Sequence, residues 1–133
     1  MAETESVSES VSGGAQSGMA TTSAGTVALE HRGRTAVLTV AGALDLALAP
    51  KLRQLVDRAL RQGPELVVVD LTEVDFLASA GMATLVEANR LCRPAVGLHV
   101  VAASRRTMRP LELTRLTDEL VVFPVLSAAL VGR

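Results

Sequence analysis

The sequence predicts an α/β domain: a mixed central β-sheet of about five strands with about four helices, in the order β-β-α-β-α-β-α-β-α. Three observations predict it. Two β-patterned stretches flank Arg32-Gly33, as the arms of a hairpin would. Two nearly unbroken apolar runs, residues 66–71 (LVVVDL) and 97–102 (GLHVVA), have the texture of central strands covered on both faces. The stretches that follow strands carry apolar residues at helical spacing. A hairpin followed by strand–helix alternation implies a mixed sheet with crossover helices.

The 133 residues suffice for one domain. Residues 1–25 are rich in Ser, Thr, Gly and Ala and offer little to bury, so they are expected to form a disordered N-terminal tail. The domain is expected over residues 26–133. Residues 26–31 read as the first strand and 35–41 (TAVLTVA) as its partner. Gly42-Ala43-Leu44-Asp45 leads into a helix near Ala47. Leu48, Leu52, Leu55, Val56, Ala59 and Leu60 form its apolar face, with Lys51, Arg53, Asp57, Arg58 and Arg61 opposite. Pro50 fits only in the first turn, where its missing N–H is not needed, and Gly63-Pro64 stops the helix.

After the strand at 66–71, residues 72–78 (TEVDFLA) read as a loop before a second helix at about Ser79–Cys92. There Met82, Leu85, Val86 and Asn89 share a face, and Pro94 ends the helix. The strand at 97–102 precedes a short helix at 104–113, which Pro110 must kink or curtail. Residues 120–125 supply the last strand and 127–131 a final helical turn or two.

Composition excludes several functions. Aromatic residues are only 2% of the chain, too few for base stacking, and the net charge of −1 gives no surplus of cations for a phosphate backbone. Without the three acids of residues 1–25, the remainder carries only about +2. Direct nucleic-acid binding is not expected. A single cysteine, Cys92, fits a reducing compartment. With no signal-peptide pattern and no run of ~20 apolar residues, the sequence reads as cytoplasmic, without membrane insertion.

Few catalytic parts are present. There is no phosphate loop with a Lys and no nucleophile elbow, and His31 and His99 lack Cys or carboxylate neighbours at ligand spacing. Neither catalytic residues nor a metal site nor a cofactor is expected. Cys92 reads as a core filler, with a redox switch between chains as the alternative. What remains is Ser79, where small residues open a helix. One reading makes it the helix N-cap. The other makes it a phosphorylation site, because a phosphate of about −1.5 to −2 charges is tolerated at the positive helix end. A partner packed there would have to bury that charge without a counterion.

At these residues the sequence resembles the STAS family, and within it the bacterial anti-sigma factor antagonists of actinobacterial type. Gly42-Ala43-Leu44-Asp45 resembles the family's Gly-Glu-Leu-Asp. Val69-Asp70-Leu71-Thr72 with Val74-Asp75-Phe76 is similar to Asp-Leu-Ser-x-Val-x-Phe. The run from Phe76 to Met82 is similar to Phe-x-Asp-Ser-Ser-Gly-Leu, whose first Ser is the phosphoacceptor and falls on Ser79. Ser104 through Leu116, including Arg109-Pro110-Leu111, resembles the third-helix region of the actinobacterial members.

The resemblance implies an antagonist that binds an anti-sigma factor with serine kinase activity and frees a sigma factor. Phosphorylation at Ser79 would switch it off, and a phosphatase would reset it. Asp45, Ala78, Ser79, Ala80, Gly81 and Met82 would form the partner surface. Two residues depart from the pattern: Ala78 stands for Asp and Ala80 for the second Ser. The alternatives are a non-phosphorylated STAS interaction module in a signalling scaffold or transporter complex, and a small-ligand or nucleotide-binding domain. Oligomeric state is left open.

Overall fold

The structure, a computed structural model, describes residues 7–9 and 17–131. Seven strands form one sheet whose spatial order follows the chain: β1 (Val7–Glu9), β2 (Gly18–Thr21), β3 (Gly25–Arg32), β4 (Thr35–Leu44), β5 (Leu66–Leu77), β6 (Gly97–Val101) and β7 (Val121–Phe123). The first four pair antiparallel. From β4 onward every pairing is parallel, with a helix in each crossover. These are α1 (Ala49–Leu60), α2 (Ser79–Cys92) and α3 (Arg105–Leu113), and α4 (Leu126–Val131) closes the chain.

The strand alternation divides the core in two. Ala36, Leu38, Val67, Val69 and Val100 face a large cluster with Leu52, Leu55 and Val56 of α1, Leu85 and Ala88 of α2, and Leu111 of α3. Val37, Leu66, Val68 and Val101 point the other way, where Ala129 of α4 covers them. The two-sided burial of β5 is why its start reads as an uninterrupted apolar run. Each fully buried Leu or Val contributes roughly 1.5–3 kcal/mol.

The predicted strand–helix order is present, with five differences in detail. Gly18–Thr21 pairs with β3 and buries Ala20, and Val7–Glu9 pairs with β2, so these parts of the expected tail are strands. The other residues expected in the tail before Ser17 lie outside the described residues. Residues 72–77, expected as loop, continue β5: Val74 and Leu77 are buried and pair beside β4 across two register shifts. Those shifts break the two-residue period, which hid the strand. Helix α1 starts at Ala49 rather than near Ala47, with Pro50 in its first turn as expected.

Helix α3 passes through Pro110 to Leu113 and is followed by a 3-10 turn at Leu116–Asp118, entered from Arg115 in the left-handed region (φ 63°). The last strand is shorter than expected, because Pro124 cannot donate to the ladder. His99 is buried and donates from Nδ1 to the Ala129 carbonyl at 2.8 Å, holding α4 against the sheet.

Candidate interaction surface around Ser79

Strands β4 and β5 end side by side, with Leu44 opposite Leu77, and each feeds a helix on the same face. This places the entries of α1 and α2 next to each other. After Leu44, the Asp45 carboxylate accepts hydrogen bonds from the N–H groups of Ala47 (3.2 Å) and Leu48 (3.1 Å), and its carbonyl accepts from Ala49 (2.9 Å). The turn into α1 is thereby closed from within. After Leu77, Ala78 is extended (φ −85°, ψ 168°); its N–H bonds the Leu44 carbonyl, and its own carbonyl accepts from Met82, both at 3.0 Å.

Ala78 is therefore the N-cap of α2, and Ser79 is the first helical residue. Among the described residues, no side chain caps this helix. The N-cap reading of Ser79 is corrected: the extended residue whose carbonyl starts the helix is Ala78, and the exposed Ser79 hydroxyl has no hydrogen-bond partner among the described residues. The N–H groups of Ser79, Ala80 and Gly81 are the unpaired donors that open any helix.

Gly81 lies against the end of β4. A Cβ there would stand 2.7 Å from both Leu44 Cγ and the Leu44 carbonyl oxygen, so only glycine lets the helix start this close to the sheet. Gly42 meets a second close approach: its φ is 82°, and a Cβ would lie 2.3 Å from the Ala24 carbonyl.

The six residues expected at the partner surface fall at one end of the fold, but not equivalently. Ser79 is exposed, while Ala78, Ala80, Met82 and Asp45 are half-buried. Gly81 is buried beneath them. Met82 turns toward α3, where its sulfur accepts from the Thr114 hydroxyl at 3.7 Å. The Asp45 carboxylate is already engaged in its own turn.

Sequence reasoning missed two large apolar residues at this end, Leu46 (79% exposed) and Phe76 (56% exposed). Adjacency to buried Leu77 was the available signal for Phe76, since neighbours on a strand face opposite ways. Between α1 and α2 runs an open groove of about 390 Å³, whose lining includes Leu46, Ala49, Pro50, Ala80 and Ala83. The ion pair between Arg53 and Glu87 joins the two helices and forms, with Thr84, the polar part of the groove wall. Cys92, 2% exposed, lies at the other end of α2, and burial pushes its thiol up from 9.0 to about 11. That is a packing role, not a reactive thiolate. Among the described residues no three His, Cys, Asp or Glu side chains gather as a metal site, and no helix is long and apolar enough to cross a membrane.

A mixed sheet with α1, α2 and α3 on one face and α4 on the other defines an α/β domain. Residues 26–129 match the STAS domain, and the chain belongs to that family. It is 33% identical over 103 residues to the anti-sigma-F factor antagonist RsfB of Mycobacterium tuberculosis, covering 77% of this chain and 84% of RsfB. An anti-sigma factor antagonist from Mycobacterium paratuberculosis has a solved structure of TM-score 0.77 at 31% identity, spanning 81% of this chain and 92% of that one. The unphosphorylated form of the antagonist SpoIIAA shares the fold, with TM-score 0.63 at 21% identity over 80% of this chain and 96% of its own.

Proposed function

We propose that this protein is a cytoplasmic anti-sigma factor antagonist, a binding module without catalysis of its own, switched by phosphorylation of Ser79. The observation that carries the reading is the exposed hydroxyl of Ser79 at the first position of α2, next to Ala80 in the wall of a groove that also includes the exposed Leu46. The similarity to RsfB, an anti-sigma-F factor antagonist, supports an anti-sigma factor as the partner. The partner would itself be the serine kinase. Ser79 Oγ attacks the γ-phosphorus of ATP held by that kinase, its proton passes to a base of the kinase, and ADP leaves.

The added phosphate sits at the positive end of α2, where free N–H groups favour it, so the domain keeps its fold. The partner's apolar contacts would then close over a charge, and Arg53 in the groove wall is already paired with Glu87. A penalty of about 4 kcal/mol weakens binding roughly a thousandfold. A phosphatase restores the first state.

The test is a pull-down from native lysate with wild-type, Ser79→Ala and Ser79→Glu baits, followed by calorimetry on the recovered anti-sigma factor. Wild type and Ser79→Ala should bind alike, and Ser79→Glu should lose the partner. Incubation of the same anti-sigma factor with ATP should add one phosphate to wild type and none to Ser79→Ala. A second reading, a STAS interaction module that is never phosphorylated, draws on Ala78, which leaves no carboxylate next to the hydroxyl. Equal binding by all three baits, with no phosphate added, would replace the first reading with the second.

A further inference from the structure

Helix α3 carries its charges the wrong way round. Arg105 and Arg106 occupy its first turn, where the helix end is positive, and Glu112 stands in its last turn, where the end is negative. Arg109 lies four residues after Arg105, so two like charges share one face. The inner face is ordinary: Thr107 and Leu111 are buried, and Met108 packs on the core. Elsewhere Arg58 and Arg90 sit in the last turns of α1 and α2, where cations are favoured.

Among the described residues, Arg105, Arg106 and Arg109 are exposed and their side chains make no ion pair or hydrogen bond. Local rules broken together on one exposed face are what a functional surface produces. Two open cavities of about 360 and 480 Å³ adjoin this face and share Arg105 as a wall.

We propose that the outer face of α3 is a docking surface for an acidic protein segment, distinct from the Ser79 surface. The charge pattern selects the occupant. Glu112 lines the first cavity, one turn beyond Arg109, and Glu73 and Asp75 line the second, so carboxylates flank the arginines on both sides. A continuous polyanion such as nucleic acid or an anionic membrane meets repulsion at each of these positions. Carboxylates spaced one helical turn apart on a partner meet Arg105 and Arg109 in register and stop short of the acids on either side. Such contacts act chiefly on the association rate and weaken with salt.

The proposal does not depend on the function of Ser79, and its probes are defined molecules. One is a helical peptide with Glu residues four apart, and its control replaces each Glu by Gln. A single-stranded oligonucleotide and inorganic phosphate represent the other anions. By fluorescence anisotropy and NMR shifts at low salt, the Glu peptide should bind saturably, shift the amides of α3, and compete away as salt rises. The triple change Arg105→Gln, Arg106→Gln, Arg109→Gln should weaken it at least ~10-fold, whereas Ser79→Glu should leave it unchanged. That triple variant should also melt a few degrees higher, about 1–4 °C, because it removes the unfavourable charges.

Failure of the Glu peptide to bind, equal binding of the Gln peptide, or tighter binding of the oligonucleotide or phosphate would each overturn the proposal. A triple variant that binds like wild type, or that melts lower than wild type, overturns it as well.

Discussion

Gly81 and Asp45 act on the same corner of the molecule in different ways. In an open helix, replacing glycine by alanine stabilises by about 0.8–1 kcal/mol. At Gly81 the new Cβ meets the Leu44 carbonyl at 2.7 Å, and a backbone atom cannot swing aside. The expected sign therefore inverts: Gly81→Ala should destabilise by about 1–3 kcal/mol in chemical denaturation. A neutral or stabilising result would mean that α2 starts farther from β4. Asp45→Ala removes the acceptor for two N–H groups at the entry to α1 and should cost about 1 kcal/mol. Asp45→Asn, which keeps the acceptor, should recover most of it.

Cys92 gives the pH dependence at the same scale. Its folded pKa, about 11, lies above the ordinary 9.0, so the folded state holds the proton more tightly. Stability from this group is full below pH 9 and is lost as pH rises toward 11. Urea melts of wild type should show that decline, and Cys92→Ala, although less stable throughout, should flatten it. Ser79 itself was legible as the one hydroxyl between Phe76 and Met82, but its helical position was not. A side-chain sequence does not say whether position 78 or 79 is the extended residue; the Ala78 to Leu44 hydrogen bond decides it.

At the scale of elements, the best-read segments were those whose apolar period is clean. The stripe of α1 is buried as expected at Leu52, Leu55, Val56 and Ala59. Leu55→Ala should therefore cost about 2–5 kcal/mol, measurable as a lower denaturation midpoint with an unchanged slope. The misread segments are those where neighbours override the local pattern. Residues 72–77 bury only Val74 and Leu77, a spacing of three that belongs to neither period, and bulges in the pairing with β4 produce it. The groove beside Ser79 was illegible for a related reason: its walls come from two helices whose register on each other is set by packing across the sheet. The salt link of Arg53 to Glu87 spans those helices with both side chains partly open to solvent, so a double-mutant cycle should return about 1 kcal/mol.

At the scale of the whole molecule, the boundary of the domain is the point where composition misleads. Residues 18–21 (GMAT) are too small and too few to announce a strand, and their place comes from what they cover. Thr21 pairs with Thr26 and Gly18 with Leu29, so β2 lies along the full outer side of Val27 and Leu29, which are buried. Ala20 joins the same core, and α1 rests partly on this strand. The STAS match begins at residue 26, one strand later. A chain starting at Thr26 should keep the parallel half of the sheet but lose the ladder along β3 and the burial of Ala20. The expected loss is at least ~2 kcal/mol, which for a domain of this size lowers the melting temperature by ~10 °C. Freed of its neighbour, β3 becomes a long, flat edge with apolar residues on one side, so the shortened chain should also self-associate on light scattering. If it instead melts with the full-length protein and stays monodisperse, β2 lies outside the cooperative unit and the folding boundary coincides with residue 26. A melting temperature that falls while the Ser79 surface still binds its partner would show that the antiparallel strands serve stability, and that the interaction surface is built by the parallel strands and their crossovers.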